Sequence, residues 1–242
     1  RARAMIDLTV VSVLLDAGAG ADWGFLEDGV RYQRSEGLAV ASWHGFVDGA
    51  FSSDPDHPLQ VDAHALRALT VEDLAAVLQV SPDNPLVGLA GRVQLMRSLG
   101  DALSAQPEVF GPAGRPGGLF DASSASSGVV DAHDILVHLL TSLSRIWPSG
   151  NVIDAEPLGD CWRHDAVDGP GATAGWLPLH KPSQWLTYSL IEPLQWAGVT
   201  VTGIDTLTGL PEYRNGGLLP DSGVVRLRDP QWAEKAWAPG DE

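Results

Sequence analysis

The chain has 242 residues, and its 31 Asp and Glu against 15 Lys and Arg give a net charge of −16. This acidic balance disfavours nucleic-acid binding and docking on anionic membranes, whereas a small anionic ligand is compatible with it where a few Arg converge. A hydrophobic fraction of 44% supports a sizeable core in one large domain or two small ones. Cys161 is the one cysteine, so no intrachain disulfide forms, and we expect a cytoplasmic protein.

The first half of the sequence predicts helices joined by short turns. The almost uniformly apolar residues 4–17 indicate a first helix without a polar face, which stops at Gly18-Ala19-Gly20. Residues 23–34 fit an irregular or hairpin segment. Thr70 and Asp73 have the spacing of a weak capping box. Further helices are expected at 37–50, 62–69, 70–79 and 86–105.

The second half predicts fewer helices and more loops. Residues 111–128 are rich in Gly, Pro, Ser and Ala and predict a mobile loop, and 168–175 form a second Gly-rich loop. Helices are expected at 129–146 and from Pro182 to about 197. Brief strands are expected at 199–201 and 223–227, with a turn-rich segment at 208–221. The whole predicts a mainly α chain with short strands, without repeats or a clear domain boundary.

Several familiar sites are absent from the sequence. No Gly-x-Gly-x-x-Gly or phosphate-binding loop opens a helix, and no Gly-x-Ser-x-Gly elbow is present. Cys161, His164 and His180 lie near one another in sequence but lack the fourth ligand of a structural zinc site. We therefore expect no metal ion and no cofactor.

Lys181 is the first candidate functional residue. The chain has thirteen Arg but two Lys, and Lys181 lies in an apolar and aromatic stretch at 177–196. An ammonium in such surroundings is costly unless a carboxylate or an anionic ligand compensates it. The alternative is a partly exposed Lys whose aliphatic stem covers apolar surface.

Three other places carry candidate side chains. Glu212 and Arg214 stand between turn-forming residues at 210–217, which favours a tight connection at a cleft, although charges in a surface loop fit equally well. Trp162-Arg163-His164 places cations beside a large aromatic side chain. Asp16 ends the apolar first helix and fits either a substrate contact or a cap paired with an Arg.

Six segments carry a resemblance to a known family, and they lie at 7–20, 35–42, 83–89, 159–162, 180–186 and 207–218. They resemble a family of unknown function that is tied to the uracil-catabolism (URC) pathway of fungi and bacteria. The resemblance covers nearly the whole chain. Because that family extends further at both ends, we expect this chain to be a fragment that lacks N- and C-terminal segments.

A more distant similarity implies a fold and a reaction. Lys181-x-x-Gln184 and Glu212-Tyr213-Arg214 are similar to two motifs of the queuosine-phosphate salvage glycosidases, whose fold resembles the helix-hairpin-helix DNA glycosylases. The resemblance implies a single helical domain over 1–242 and hydrolysis of an N-glycosidic bond in a nucleoside 5′-phosphate. Lys181 and Glu212 are the catalytic residues carried over. Glu212 departs from the Asp of that family by one methylene, which shifts its carboxylate by about a bond length.

Together these resemblances imply that the chain cleaves ribosylurea 5-phosphate to urea and ribose 5-phosphate. The phosphorylated riboside is the expected partner, and its 5-phosphate is expected to bind cationic side chains and the positive end of the helix that begins near Pro182. The alternatives are an amidohydrolase or deaminase acting on a ring-opened ureido compound, and a non-enzymatic scaffold. The sequence leaves the oligomeric state open. Substrate-binding candidates are Asp16, Trp162, Arg163, His164, Gln184, Tyr213 and Arg214.

Overall fold

The computed structural model describes residues 1–123, 127–210 and 213–236, with the backbone alone described at 213–216. The described part is mainly helical with short strands, as predicted. The likeness to helix-hairpin-helix glycosylases and the single domain over 1–242 stay predictions. The helices are α1 Ala2–Leu15, α2 Arg34–Val47, α3 Ala63–Ala68, α4 Val71–Val77, α5 Leu89–Ser104, α6 Pro107–Phe110, α7 Leu119–Ala122, α8 Ala132–Leu143, α9 Lys181–Trp196 and α10 Tyr213–Asp221.

The strands are β1 Phe25–Glu27, β2 Val30–Tyr32, β3 Val129–Asp131, β4 Val152–Ile153, β5 Glu156–Pro157, β6 Cys161–Arg163, β7 Trp176–Pro178 and β8 Thr200–Thr202. Within the described residues they form four two-stranded sheets. The sheets β1–β2, β4–β5 and β6–β7 are antiparallel, and the first of them shows that the segment expected at 23–34 to be irregular or a hairpin is a hairpin. The fourth sheet pairs β3 with β8 in parallel.

Helix α1 lies at the centre of the fold. It contacts α2, α5, α7 and α9, and Ile6, Val10 and Leu15 are fully or almost fully buried. A helix that is apolar all round has to be covered on several sides, so its pattern alone indicated this position. Across the described ranges, no helix combines the length and the apolar character needed to span a bilayer.

Asp7 is the exception in this apolar helix, because its carboxylate is completely buried. The Arg115 guanidinium donates to it at 2.5 Å, and the amides of Gly117 and Val61 donate at 2.6 and 3.2 Å. Burial raises the pKa of the Asp7 carboxyl, and the guanidinium and the two amides limit that rise. The arrangement fastens α1 to the segment that precedes α7.

The Gly-rich stretch at 111–128 was predicted as one loop, and its described part is different. It contains a 3₁₀ turn at Pro116–Gly118 and the short helix α7, and the turn is buried against α1. A Cβ on Gly117 would lie 2.7 Å from the carbonyl oxygen of Arg3. Glycine at this position permits close packing on α1. The prediction of a mobile loop was therefore wrong here, because it took glycine only as a sign of mobility. Residues 124–126 lie outside the described residues.

Three other element predictions need correction. The helix expected from 129 begins at Ala132, because Val129–Asp131 pairs with β8 and the Asp131 carboxylate accepts from the amide of His133 at 2.9 Å. The turn-rich segment at 208–221 contains α10, although Gly217 and Pro220 are poor helix formers. No strand forms at 223–227.

Candidate functional site

The predicted Lys181–Gln184 motif forms the first turn of α9. Lys181 is the first helical residue and Pro182 follows it, a position where the missing N–H of proline costs nothing. Gln184 lies one turn further on, so the two side chains share one face of the helix. His180 precedes them with φ 45°, in the left-handed region that non-glycine residues seldom adopt.

Asp160, which lies 21 residues before Lys181, forms hydrogen bonds to this first turn. One carboxylate oxygen accepts from the backbone N–H of Lys181 at 3.1 Å, and the other accepts from the indole N–H of Trp162 at 2.8 Å. Its own carbonyl accepts from the amide of His180 at 2.9 Å. These bonds place Trp162 beside the beginning of α9, which is the position needed for a side chain that forms a wall of the site.

Asp160 was not predicted as a functional residue, although it belongs to the Gly159–Trp162 motif. Capping signals are sought within a few residues of a helix start, and this cap comes from 21 residues earlier. Its negative charge also changes the expected phosphate site. A 5-phosphate at the beginning of α9 would meet a carboxylate that already interacts with the positive end of the helix.

A second set of hydrogen bonds ties α9 to the segment that leads towards Glu212. The Thr208 hydroxyl donates to the side-chain oxygen of Gln184 at 2.7 Å, and the Tyr188 hydroxyl donates to the carbonyl of Thr208 at 3.0 Å. The Gln184 amide group donates to the carbonyl of Leu179 at 3.0 Å, which fixes its orientation. Gln184 therefore has both of its polar ends engaged.

Glu212 itself lies outside the described residues. Tyr213 and Arg214 are described only by their backbone, at the beginning of α10. The predicted meeting of Lys181 with Glu212, and the substrate contacts of Tyr213 and Arg214, thus stay predictions.

Arg163 and His164 lie in the β6–β7 hairpin and are exposed. Arg163 is paired with Trp176 across the hairpin, and its guanidinium lies 5.2 Å from the Trp176 ring centroid. Because side chains alternate along a strand, Arg163 and Trp162 point to opposite faces. The His164 ring accepts from the amide of Ala166 at 3.0 Å. Asp160 therefore links the Trp162 indole to the backbone of Lys181, one helical turn from Gln184, and Arg163 points away from Trp162.

Asp16 lies at the junction of α1 and α2. The Ser35 hydroxyl donates to its carboxylate at 2.9 Å. Burial raises the pKa of Asp16, and the Ser35 hydrogen bond and the charge of Arg92 partly oppose this. Arg92 donates to the carbonyls of Leu15 and Ala17, each at 2.8 Å, and so caps the end of α1. These contacts fit the alternative reading of Asp16 as a helix-end residue near an Arg.

His180 was considered in the sequence only as a metal ligand, and the structure shows a different feature. Its Nδ1 atom is buried and has no hydrogen-bond partner among the described residues. Burial lowers the pKa of His180, and the nearby Asp160 carboxylate works in the opposite direction. Because its pKa is lowered, the His180 ring at the beginning of α9 is neutral at neutral pH.

We predict that protonation of His180 destabilises the fold in mild acid. The unfolded chain binds this proton near the ordinary pKa of about 6.5, and the folded chain binds it only at lower pH. Between the two values the unfolded state holds more protons, so stability falls as the pH drops through that window. Asn tolerates the left-handed backbone, so His180→Asn is expected to lose less stability between pH 7 and pH 5 in urea titrations.

The matched control for this titration is His64→Asn, which removes an exposed His from α3. The stability of His64→Asn is expected to depend on pH as that of the wild type does. Equal losses of stability in the wild type and His180→Asn would show that His180 does not control this dependence.

A separate cleft of about 410 Å³ lies between β1, α2 and α4. The His44 ring stacks on Phe25 with centroids 5.5 Å apart and bonds to Glu27. Asp28 and Asp48 also line the cleft, and none of its lining residues comes from α9. Its carboxylates disfavour an anionic phosphorylated riboside. In the described residues, no group of three or more His, Cys, Asp or Glu side chains could hold a metal ion.

Comparison with known proteins places these motifs in a family. The family model described as "Protein of unknown function (DUF1688)" matches residues 1–241. The chain belongs to this family. It is 44% identical over 243 residues to "Uracil catabolism protein 4" of Lachancea kluyveri, a match that covers 94% of the chain and 55% of the relative. It is 45% identical over 226 residues to "Protein urg3" of Schizosaccharomyces pombe, covering 93% of the chain and 54% of the relative.

These matches confirm the resemblance to the uracil-catabolism family. The chain spans about half the length of the curated relatives it matches.

Proposed function

We propose that this chain takes part in uracil breakdown and carries an N-glycosidase site at the beginning of α9. The substrate would be a ribose 5-phosphate compound, ribosylurea 5-phosphate, and the products would be urea and ribose 5-phosphate. The name of the fungal relative supports the pathway. The observation that supports the site is the hydrogen bond from Thr208 to Gln184, which ties the first glycosidase-like motif to the segment four residues before the second.

The chain length is compatible with a meeting of Glu212 and Lys181. Gln184 lies one helical turn from Lys181, and Thr208 is bonded to Gln184. Glu212 follows Thr208 by four residues, which at full extension span at most about 14 Å. This span supports the proposal that the Glu212 carboxylate and the Lys181 ammonium act on opposite sides of one ribose.

The mechanism follows from the charge that develops when a glycosidic C–N bond breaks. The anomeric carbon becomes positive, so the Glu212 carboxylate would stabilise it and orient the attacking water. Lys181 has three candidate roles: it protonates the leaving nitrogen, it holds Glu212 ionised, or it forms a Schiff base. In the first role the ammonium becomes a neutral amine, which takes up a proton from water before the next turnover, whereas in the second role it stays charged throughout.

The substrate's other contacts would come from residues around this turn. The Trp162 indole, held by Asp160, would form a wall that excludes water from the sugar. Because Asp160 occupies the helix start, the 5-phosphate would bind His164, which is exposed, and the Arg214 guanidinium rather than the first amides of α9. Binding by Arg163 would require its guanidinium to leave the Trp176 ring.

Product analysis tests this function against the alternatives. Full-length protein is incubated with ribosylurea 5-phosphate, and urea, ammonia and ribose 5-phosphate are quantified over time. A glycosidase releases urea and ribose 5-phosphate in a one-to-one ratio without ammonia. Ammonia release would identify an amidohydrolase or deaminase instead. Binding of the compound without turnover would identify a non-enzymatic ligand-binding protein.

A further inference from the structure

Asp160 connects the β6–β7 hairpin to the first turn of α9 through both of its carboxylate oxygens. One oxygen accepts from the backbone N–H of Lys181 at 3.1 Å, and the other accepts from the Trp162 indole at 2.8 Å. The Asp160 carbonyl accepts from the His180 amide at 2.9 Å, so a second bond joins Asp160 to the beginning of α9. The residue that begins α9 and the aromatic wall beside it thus share a single anchor.

The chemistry of a carboxylate is required for this double role. An ionised carboxylate has two acceptor oxygens, whereas a carboxamide has one oxygen and an NH₂ group that donates. In Asp160→Asn, one of the two N–H donors would therefore face another donor. The negative charge that interacts favourably with the positive end of α9 would also be lost.

The backbone around this anchor leaves little freedom. His180 is in the left-handed region at φ 45°, a conformation that costs energy and persists where neighbouring contacts enforce it. The bond from its amide to the Asp160 carbonyl is one such contact. These contacts hold the backbone of Lys181, from which its Cα–Cβ bond takes its direction.

We propose that Asp160 is the positioning residue of this site, which sets the placement of the Lys181 ammonium and the Trp162 indole without touching the substrate. This inference rests on the proposed function, because it assigns the residue that positions its lysine. It goes beyond that function in naming a group outside both glycosidase-like motifs.

The first test observes Lys181 without relying on turnover. Reductive ¹³C-methylation labels Lys181 and Lys235, the two lysines of this chain, and the Lys181 signal is the one that disappears in Lys181→Arg. Asp160→Asn is expected to shift the Lys181 signal and leave the Lys235 signal in place. Asp165→Asn makes the same change at an exposed position in the loop between β6 and β7, and is expected to shift neither.

The second test separates positioning from stability. A misplacement of about 1 Å can cost about 100-fold in rate, so Asp160→Asn is expected to lower kcat by about 10- to 100-fold and leave KM nearly unchanged. Asp160→Glu, which keeps both acceptor oxygens, is expected to recover part of the loss. Trp162→Phe, which removes only the indole bond, is expected to lower kcat less than Asp160→Asn does. Circular dichroism establishes that each variant is folded.

The outcomes distinguish this inference from the proposed function. A shifted Lys181 signal in Asp160→Asn, with wild-type protein inactive on ribosylurea 5-phosphate, would support the positioning role and contradict the glycosidase. An unshifted signal, or kcat equal to that of Asp165→Asn in an active enzyme, would overturn the positioning role and leave the glycosidase standing. If Asp160→Asn does not fold, Asp160→Glu replaces it: the longer side chain displaces both acceptor oxygens, and an unmoved Lys181 signal in that variant overturns the positioning role.

Discussion

Lys181→Ala and Glu212→Gln are each expected to lower kcat on ribosylurea 5-phosphate by about 100- to 10,000-fold, the usual contribution of a proton donor or a charge-stabilising group. Lys181→Ala removes the ammonium that would assist the leaving urea nitrogen. Glu212→Gln keeps the shape of the side chain and removes the charge that would stabilise the sugar cation. Both losses are measured as urea release at saturating substrate.

The chain offers matched controls for both variants. Lys235→Ala removes the second of its two lysines, which is exposed, and is expected to retain wild-type turnover. Glu192→Gln neutralises an exposed carboxylate on α9 and is also expected to remain active. If Lys235→Ala loses as much activity as Lys181→Ala, the effect reflects lysine removal in general and not this site.

Asp7→Ala is expected to destabilise the fold by about 3–5 kcal/mol, because it leaves the partly buried Arg115 guanidinium without its counter-charge. The same change removes the acceptor of the Gly117 and Val61 amides. Against a total stability of about 5–15 kcal/mol for a typical protein, this is a large fraction. Chemical denaturation of the wild type and the variant measures the difference.

The exposed pair of Arg3 with Asp121 is the control for that experiment. Its atoms are 2.6 Å apart, but the two side chains are 53% and 55% exposed. Water already solvates these charges, so Asp121→Ala is expected to cost about 0–1 kcal/mol. Equal losses of stability in Asp7→Ala and Asp121→Ala would show that burial does not determine how much these ion pairs stabilise the fold.

Elements that are specified by their own residues could be predicted from the sequence. The apolar pattern of α1 and the Thr70–Asp73 capping box are local signals, and the structure confirms both. A brief strand was likewise expected at 199–201, and the structure has it at Thr200–Thr202.

Elements that depend on remote partners could not be predicted. Val129–Asp131 extends only because β8 supplies a partner about 70 residues later, so its local pattern was read as helix. Arg115 meets Asp7 across 108 positions, and no short-range signal links the two. Asp160 caps α9 from 21 positions away for the same reason.

In the candidate site, too, the features specified by local residues were predicted and those that depend on remote partners were not. The first turn of α9, with Lys181 and Gln184, was predicted from local sequence, and Trp162 is placed beside it. The direction of Arg163 depends on its cross-strand partner Trp176, which the sequence did not reveal. The Thr208–Gln184 bond, which ties the first glycosidase-like motif to the segment before the second, could likewise be seen only in the folded chain.

The most direct test of the central claim compares the Lys181→Ala/Glu212→Gln double variant with the two single variants in the urea-release assay. If the two side chains act as a unit on one glycosidic bond, the double variant loses about as much kcat as the worse single variant. Losses that multiply would contradict the pairing. Wild-type turnover in either single variant would contradict the assignment of the site itself.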